Sequence, residues 1–385
     1  MRILFICHEY PPSKHGGIGI FVKSIAEALL TQGCQTAVIG YDEKVMEDEL
    51  QVVNKVDVFR LVNPYKNKHG IRIGGFTLNL YPILERRYFS KKLEQIIHTW
   101  QPDLIEGIDW SGPLWHKPSR PLLIRLHGSY AANQLYESKP VRRLIYYLEK
   151  RNLFLTTFYC GVSKHIAKWT RTAFHFKQDF SIIYNSVNTK KFVPLTGIQK
   201  KEYSLVFLGR IDARKGIEEL INAMAICVAS NPAIHLTIIG NGDPIYLEKL
   251  KNRIDPTCRE HISFSGFIPN DELPRYINPF MLGVMPSRAE AFGITAIELM
   301  SCGIPIIMTN KAAGPEIVTD GEDGWLVDPS NVEALAAKII EAFADMERVQ
   351  LFGKNARRKV ERIFAEGQMM QQNIQVYKSI LGHAN

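Results

Sequence analysis

Residues 286–305 read PSRAEAFGITAIELMSCGIP, and two glutamates, Glu290 and Glu298, stand eight positions apart within them. The residues after Gly293 are apolar at helical spacing and stop at a Gly-Ile-Pro sequence. Glycine there can supply a left-handed cap, and proline cannot continue a helix. Residues 281–285 form a short apolar run that is typical of a buried strand. The pattern therefore predicts a strand, a loop with Glu290, and a helix that begins near Gly293 and carries Glu298.

This predicted junction of loop and helix has the chemistry of a ligand site. A helix N-terminus presents free backbone N–H groups and the positive end of its dipole, where an anion can bind. A carboxylate on each side can accept hydrogen bonds from hydroxyl groups. A lone glutamate is usually a solvated charge. Two of them in this setting favour a ligand with both phosphates and hydroxyls, such as a sugar nucleotide.

The whole chain has 385 residues, of which 46% are apolar and 22% are charged. This length fits two domains better than one, and the composition is that of an ordinary soluble protein. The apolar runs are too short to span a bilayer, and the N-terminal run is too short for a signal peptide. The six cysteines form neither a CxxC pair nor a zinc pattern, which predicts reduced thiols and a cytoplasmic location.

Strand-like runs alternate with helical patterns in two successive series. The predicted strands lie at residues 2–7, 36–39, 56–62, 103–106, 122–126, 158–161 and 182–184, and then at 204–208, 235–239, 262–264, 281–285 and 304–308. Such alternation predicts α/β architecture, with two doubly wound, Rossmann-like domains facing across a cleft. Residues 188–202 are polar and basic and include proline and glycine, which predicts a linker. The predicted domains are therefore residues 1–193 and 203–365.

Two glycine-rich turns follow predicted strands, one with Gly17 and Gly19 and the other with Gly240 and Gly242. Glycines there let the backbone approach a phosphate in front of a helix N-terminus. A nicotinamide-dependent dehydrogenase would need GxGxxG, but a valine and an isoleucine stand where the third glycine belongs. Tight turns without a ligand are the structural alternative.

Basic side chains also lie at predicted strand ends. Arg210 and Lys215, in FLGRIDARKG, stand between a strand and a helix. Together they can hold a diphosphate leaving group without a metal ion. His127 ends the predicted strand 122–126 and is followed by glycine and serine, so we expect it to face the cleft. A histidine with a purely structural role is the alternative.

The glutamate pair, the spacing of Arg210 and Lys215, and the glycine turns together resemble the retaining glycosyltransferases of family 4 (group 1, GT-B architecture). The resemblance covers nearly the whole chain and is strongest from residue 206 to residue 327. It implies that Glu290 faces the donor hexose and that Glu298 binds the ribose of the nucleotide. It also implies that the final helix, residues 366–385, returns to the first domain.

Further donor contacts follow from the same resemblance. It places His127 against the hexose and Gly17 against the diphosphate or the reacting sugar. The remaining donor-binding residues that it implies are Gly240, Gly242, Phe267, Ile268, Phe292 and Gly293. Many relatives have two glycines where this chain has Ala313-Gly314, which predicts a small change near the sugar rather than lost activity.

The chain is thus predicted to be a retaining, metal-independent glycosyltransferase of glycan, polysaccharide or glycolipid biosynthesis. It would move a hexose from a UDP- or GDP-sugar to a hydroxyl acceptor. In the family's favoured mechanism the acceptor attacks from the face of the leaving diphosphate, which takes its proton. We expect neither a cofactor nor a bound metal. A glycoside hydrolase would not need the phosphate-binding groups. A sugar-nucleotide epimerase and a non-catalytic sugar-nucleotide binding module are two competing hypotheses.

Positive charge is concentrated in the first half of the chain. Residues 1–195 hold 27 Lys+Arg and 16 Asp+Glu, an excess larger than the net charge of +8. Lys139, Arg142, Arg143 and Lys150 are predicted to share one helix face with two tyrosines, which suits an anionic membrane surface. We therefore predict that the acceptor is lipid-linked or otherwise anionic and that the protein contacts the inner face of the membrane peripherally. We expect no nucleic-acid partner. A solvated helix face is the alternative.

Overall fold

The computed structural model describes residues 1–12, 16–66, 68, 71–73, 76–178 and 180–383. The chain forms two compact units, and the first of them is discontinuous in sequence. Residues 1–183 and 370–385 make the first unit, and residues 184–369 make the second. No helix in these described ranges is long and apolar enough to cross a membrane.

The first unit is built on an eight-stranded sheet with a separate two-stranded hairpin. In chain order its strands are β1 (Arg2–Ile6), β2 (Gln35–Tyr41), β3 (Glu49–Val53), β4 (Val56–Leu61), the hairpin strands β5 (Ile71–Ile73) and β6 (Phe76–Leu78), β7 (Leu104–Ile108), β8 (Leu122–Leu126), β9 (Phe158–Gly161) and β10 (Ser181–Ile182). The sheet order is β10-β9-β8-β7-β1-β2-β4-β3. Its pairings are parallel except that of β3 with β4. Strands β7 and β8 are buried along their whole length, as expected of a parallel sheet with both faces covered.

The second unit has a six-stranded sheet in which every pairing is parallel. Its strands are β11 (Ser204–Leu208), β12 (His235–Ile239), β13 (Ile262–Gly266), β14 (Leu282–Met285), β15 (Ile306–Thr309) and β16 (Gly324–Val327). The order is β13-β12-β11-β14-β15-β16, which is the strand order of doubly wound dinucleotide-binding sheets. The order reverses between β11 and β14, and ligands of such sheets bind outside the carboxyl ends of the strands at this point.

Helices cover the sheets. In the first unit they are α1 (Gly17–Leu30), α2 (Tyr81–Trp100), α3 (Tyr130–Tyr136), α4 (Arg143–Leu153) and α5 (Lys164–Phe174). Those that follow are α6 (Ile217–Ser230), α7 (Pro244–Asn252), α8 (Leu273–Ile277), α9 (Ile294–Ser301), α10 (Gly314–Ile317), α11 (Val332–Ala344), α12 (Met346–Lys359) and α13 (Glu366–His383). Short 3-10 helices lie at Ala213–Lys215 and Pro256–His261, and a π-helical turn lies at Val360–Phe364.

The last helix, α13, begins within the second unit, and its residues from Met370 onward belong to the first. Its attachment is polar and buried. The Tyr377 hydroxyl donates to Glu106 Oε2 at 2.5 Å, and Arg125 donates to the Asn373 side chain. Glu106 and Arg125 lie on neighbouring strands β7 and β8 and form a buried ion pair of 2.6 Å. The implied return of this helix to the first domain is thus present.

The predicted strands at 122–126, 158–161, 204–208 and 235–239 coincide with those of the structure, and the predicted α/β class is confirmed. The sequence pattern missed β3, the β5–β6 hairpin, β16, α3 and α10, which are short or lie at the edge of a sheet. Residues 188–202, predicted as a linker, lie within the second unit. Phe192 is buried there, and the Leu195 N–H donates to Asn278 Oδ1.

Candidate functional site

Two of the predicted donor residues of the second unit, Lys215 and Glu290, lie at the reversal point of its sheet. Lys215 ends the 3-10 helix that follows β11, and Glu290 lies in the loop that follows β14. The two strands are hydrogen-bonded neighbours, so their following loops meet at one edge of the sheet. This edge is the place where a doubly wound sheet binds its ligand.

Lys215 and Glu290 form an ion pair across 75 residues of sequence. Lys215 Nζ donates to Glu290 Oε2 at 2.6 Å, and the two side chains are 22% and 10% exposed. The Ser287 hydroxyl donates to the same oxygen at 3.4 Å. From the adjoining loop, the Ala313 N–H donates to the Glu290 carbonyl oxygen at 3.4 Å. Because the pair is largely shielded from solvent, its attraction exceeds that of a surface pair and holds both side chains in place.

Arg210 lies in the same turn but remains mostly in solvent. Its side chain is 64% exposed, and its Nε donates to Asp212 Oδ2 at 2.8 Å. Asp212 also caps the 3-10 helix, since its Oδ1 accepts from the Arg214 N–H at 3.0 Å. Burial acts to raise the pKa of Asp212, but Arg214 and Arg210 together hold it below its usual value. The turn therefore offers one exposed and one shielded cation to an anionic ligand.

Three predicted donor-binding glycines lie in the turns at this edge of the sheet. Gly240, after β12, has φ +146°, and a Cβ added there would stand 1.8 Å from the Gly209 carbonyl oxygen. Gly242 follows in the same turn, which is bridged to Ile211. Gly293 has φ +106° and stands immediately before α9. The turns thus bring backbone, rather than side chains, to the predicted nucleotide site.

The apolar candidates separate into exposed and buried side chains. The Phe267 side chain, after β13, is 59% exposed, and Ile268 beside it is half-buried. In contrast Phe292 is 1% exposed and packs against the rings of Tyr184 and Phe364. Its ring packs within the second unit, and its predicted role in donor binding stays a prediction.

Glu298 is buried within α9, at 7% exposure. Burial raises the pKa of its carboxyl from 4.5 to about 8, although the charge of Lys191 and a hydrogen bond with the Asn270 side chain act to lower it. Lys191 Nζ in turn donates to the Asn270 side chain and to Asp271 Oδ1, the latter at 2.7 Å. Sequence reasoning missed Lys191 and Asn270, because nothing in the pattern distinguishes Lys191 from the other lysines of the predicted linker.

The raised pKa of Glu298 predicts a pH-dependent affinity for nucleotide. Below pH 8 or so the carboxyl is largely protonated, and deprotonation adds acceptor capacity for two ribose hydroxyls. We expect the affinity for UDP or GDP to rise severalfold from about pH 7 to about pH 9. Calorimetric titration of both nucleotides across this range measures the effect.

The matched control is Glu298→Gln, which keeps the shape and removes the titration. An identical pH dependence in this variant would assign the effect to another group.

The free energy of unfolding should change with pH in the opposite sense to the nucleotide affinity. The pKa of Glu298 is higher in the folded than in the unfolded chain, so its stabilising contribution is complete below pH 4.5 or so and is lost as pH rises through about 8.

In the first unit, His127 follows β8 and is held by a buried carboxylate. Asp109 Oδ1 accepts from the backbone N–H of His127 at 2.9 Å, and its Oδ2 accepts from the backbone N–H of Gly128 at 3.0 Å. Burial, reinforced by the charge of Arg125, lowers the pKa of His127 to about 3, so the ring is neutral at physiological pH. Its buried Nε2 has no hydrogen-bond partner in the part of the chain that the structure describes. Buried polar atoms normally have one, so this nitrogen suits a ligand contact better than a purely structural role.

Asp109 and Glu149 are buried carboxylates that sequence reasoning missed. Burial, with the nearby charge of Glu149, raises the pKa of Asp109 to about 7, although the two backbone N–H groups act to lower it. Glu149 accepts from the N–H groups of Ser111, Tyr130 and Ala131 at 2.8–3.0 Å. Asp109 directly follows strand β7, and this position after a predicted strand is the signal that could have identified it.

Gly17 is the first residue of α1, so Gly17 and Gly19 belong to the start of this helix rather than to a turn before it. The Gly16 N–H donates to Glu9 Oε2 at 3.1 Å. A Cβ added at Gly17 would meet no atom within 4 Å among the described residues, so the backbone there is accessible. His15, which begins the predicted turn, lies outside the described residues.

A resident metal ion has no evident ligand set in the described ranges. Within them, no group of three or more His, Cys, Asp or Glu side chains is arranged to hold an ion. The six cysteines are all buried as free thiols. The expectation of metal-free activity therefore stays a prediction that requires a direct test.

Comparison with known proteins matches both halves of the chain to glycosyltransferase families. Residues 15–191 match the model described as Glycosyltransferase Family 4, and residues 188–359 match the one described as Glycosyl transferases group 1. An uncharacterized glycosyltransferase of Methanocaldococcus jannaschii is 28% identical, with 98% of each chain covered. A GDP-mannose-dependent phosphatidylinositol monomannoside mannosyltransferase of Mycolicibacterium smegmatis is 25% identical, with 91% of each chain covered.

Solved structures match the fold over nearly the full length. Sucrose-phosphate synthase from Thermosynechococcus elongatus superposes with a TM-score of 0.82 at 21% identity, and 99% of each chain is covered. Anabaena HepE, solved with UDP and glucose, gives a TM-score of 0.76 at 18% identity, with 98% of this chain and all of the other covered. With both halves matched to its models and the fold shared throughout, the chain belongs to the family 4 (group 1) glycosyltransferases of GT-B architecture.

Proposed function

We propose that this glycosyltransferase moves a hexose from a UDP- or GDP-sugar to a hydroxyl acceptor with retention of the anomeric configuration. The shielded pair of Lys215 and Glu290 at the reversal point of the second sheet is the observation that best supports this. It sets a cation for the diphosphate beside a carboxylate for the sugar hydroxyls. The UDP bound to Anabaena HepE, a protein of the same fold, is consistent with a nucleotide-sugar donor.

In the proposed reaction the bond between the anomeric carbon and the diphosphate oxygen breaks while the acceptor oxygen bonds to the same face of that carbon. The acceptor proton passes to an oxygen of the leaving diphosphate. Lys215 and Arg210 stabilise the charge that develops on the diphosphate, and backbone groups at Gly240 and Gly242 approach it. Glu290 orients the hexose, Glu298 accepts from the ribose hydroxyls, and His127 contributes a neutral imidazole as a hydrogen-bond partner for the hexose.

A screen of UDP- and GDP-hexoses tests this function. Thermal stabilisation of the protein identifies the donor, and NMR spectroscopy of the transfer product reports the anomeric configuration. Inversion of configuration would overturn the retaining mechanism. A donor that is bound but only epimerised, or bound without any reaction in the presence of diverse acceptors, would favour an epimerase or a binding module.

Transfer is expected to be independent of divalent metal. No Asp-x-Asp sequence occurs in the chain, and Arg210 with Lys215 can neutralise a diphosphate directly. The initial rate should therefore be unchanged after dialysis against EDTA. Loss of activity that is restored by manganese or magnesium would contradict this prediction.

We propose further that the acceptor is lipid-linked or otherwise anionic and that the enzyme binds peripherally to the cytoplasmic face of a membrane. Helix α4 begins at Arg143, so Lys139 lies before it rather than on the predicted helix face, and pairs with Glu137. Arg142, Arg143 and Tyr147 are exposed. We call Arg142, Arg143, Tyr147 and Lys150 the α4 basic face.

Charge reversal on the α4 basic face should abolish membrane binding. Each cation near an anionic surface contributes on the order of 1 kcal/mol, so binding should be weak and sensitive to salt. The triple variant Arg142→Glu, Arg143→Glu and Lys150→Glu should no longer sediment with anionic vesicles at low salt, while donor hydrolysis is retained. Acidic residues suit a helix N-terminus, so the fold should tolerate the two changes at the start of α4.

The control for this variant reverses three lysines of the second unit, Lys249, Lys251 and Lys354. This control should sediment with vesicles as the wild type does. Equal recovery of the wild type in the supernatant with anionic and neutral vesicles would leave the α4 basic face as a solvated helix surface.

A further inference from the structure

An open cavity of about 660 Å³ lies on the first unit and is lined by none of the residues given a role above. One wall is a face of α5 that carries Lys164, Lys168 and Arg171 and continues to His175. The rest of the lining includes the rings of Phe176 and Phe180, which follow the helix in sequence and make up the aromatic wall of the cavity. We call this the α5 cavity.

The helical wall of the α5 cavity is strongly basic. Lys164, Lys168 and Arg171 are spaced by four and three residues, which places them on the same side of the helix. Like charges at this spacing repel each other unless an anion is shared between them. The described residues that line the cavity include no acidic side chain. Lys164 and Arg171 each also interact with another group of the chain.

The chemistry of this wall fits a phosphate ester. A phosphate group has several strong acceptor oxygens, and hydrogen bonds between two charged groups are roughly twice as strong as neutral ones. The guanidinium of Arg171 can bind two phosphate oxygens at once, while lysine ammonium groups act as adjustable point charges. The aromatic wall suits the apolar part of an ester better than it suits free inorganic phosphate.

Two stacked aromatic rings connect the α5 cavity to the α4 basic face. Phe176 stacks on Phe154 with ring centroids 4.8 Å apart. Phe154 is 56% exposed, and Lys150 Nζ lies 5.8 Å from its ring centroid. Tyr146 ties α4 to the end of α5, since its hydroxyl donates to the Ala173 carbonyl at 3.1 Å. The exposed aromatic side chain between the two basic surfaces is of the kind that sits at a membrane interface.

We propose that the α5 cavity binds the phosphate headgroup of an anionic membrane lipid while the α4 basic face rests on the membrane surface. This inference rests on the proposed membrane contact and is independent of the transfer chemistry. The α4 basic face supplies non-specific attraction to negative charge, and the α5 cavity adds recognition of phosphate. A free phosphate ester has the same charged group, so the test must separate the two sources.

The test compares two vesicle compositions of equal surface charge in a neutral galactolipid matrix. One contains phosphatidylglycerol, and the other contains an anionic lipid with a carboxylate headgroup. The wild type should bind the phosphatidylglycerol vesicles about 30-fold more tightly, as expected of two additional cation contacts of about 1 kcal/mol each. In Lys168→Gln/Arg171→Gln this preference should disappear, while the salt-dependent binding that both vesicle types share remains.

The matched control is Lys354→Gln/Arg358→Gln, which removes one lysine and one arginine from helix α12 of the second unit. It should keep the preference for phosphatidylglycerol. Equal affinity of the wild type for the two vesicle types would overturn the proposal, as would a preference that survives in Lys168→Gln/Arg171→Gln. Glycerol phosphate in solution should compete only weakly, and tight binding of it without any vesicle preference would make this a site for a soluble phosphate ester.

Donor hydrolysis by each variant distinguishes this proposal from the proposed function. Lys168→Gln/Arg171→Gln should hydrolyse donor at the wild-type rate, because the changed residues lie outside the predicted donor site. A headgroup preference in a protein without transferase activity would support the α5 cavity and refute the proposed reaction. Transferase activity without any headgroup preference would support the proposed reaction and refute the α5 cavity as a headgroup site.

Discussion

Glu290→Gln is expected to lower the rate of glycosyl transfer by about 10²–10³-fold while the protein remains folded, as for loss of one preorganised electrostatic contact to a transition state. The carboxylate has two roles in the proposed reaction. It accepts from the hexose hydroxyls, and it holds Lys215 Nζ at 2.6 Å. Glutamine keeps the shape but removes the charge that fixes the cation. Steady-state kinetics with the identified donor measure the loss.

The melting temperature should stay close to that of the wild type, because the glutamine amide oxygen can still accept from Lys215. The matched control is Glu341→Gln, a glutamate that also pairs with a lysine, Lys338, but at an exposed site on α11. This control should transfer hexose normally. Near-normal transfer by Glu290→Gln itself would remove Glu290 from the site.

A double-variant cycle shows whether the ion pair acts as a unit. If Lys215 and Glu290 act through one interaction, Lys215→Met/Glu290→Gln should be little worse than the more damaging single variant. Strictly multiplicative losses would mean that the two residues act on separate parts of the donor.

Arg125→Met is expected to destabilise the first unit by about 3–5 kcal/mol, the cost of breaking a buried ion pair from one side. Arg125 donates to both oxygens of Glu106, at 2.6 and 3.0 Å, and the two side chains are 0% and 2% exposed. The variant leaves the Glu106 carboxylate buried without this cation, while the Tyr377 hydroxyl still donates to it from α13. Urea denaturation, followed with hydrogen exchange of β8 and α13 amides, measures the loss.

The surface pair of Arg253 and Glu218 provides the control for this variant. Its nitrogen–oxygen distance is 3.0 Å, but the side chains are 57% and 33% exposed. Arg253→Met should cost no more than about 1 kcal/mol, because exposed pairs are weakened by water and salt. Equal costs for Arg125→Met and Arg253→Met would mean that the buried network does not hold α13.

The sequence predicted the elements whose signal is local. Strands at 204–208 and 235–239 are largely apolar runs followed by glycine, and both match the structure. Strand β3 was missed because it is a partly exposed edge strand, whose residues lack the apolar run of a central strand. The predicted class of fold needed only the alternation of strands with helices.

The candidate site could be predicted in its members but not in its contacts. Glu290, Lys215 and Arg210 were identified from spacing, yet no pattern shows that Lys215 pairs with Glu290 rather than with the nearer Asp212. The neighbours of Glu298 were missed for a related reason. Lys191 and Asn270 acquire their roles from contacts between segments that are distant in sequence, and such contacts have no local signal.

The discontinuity of the first unit also sets an order of events during synthesis. The second unit, residues 184–369, is contiguous and can form its core as soon as it leaves the ribosome. The first unit cannot, because Asn373 and Tyr377 are translated only after the whole second unit. Until then Arg125 and Glu106 lack their partners from α13. The half of the chain that is made first is therefore the half that is completed last.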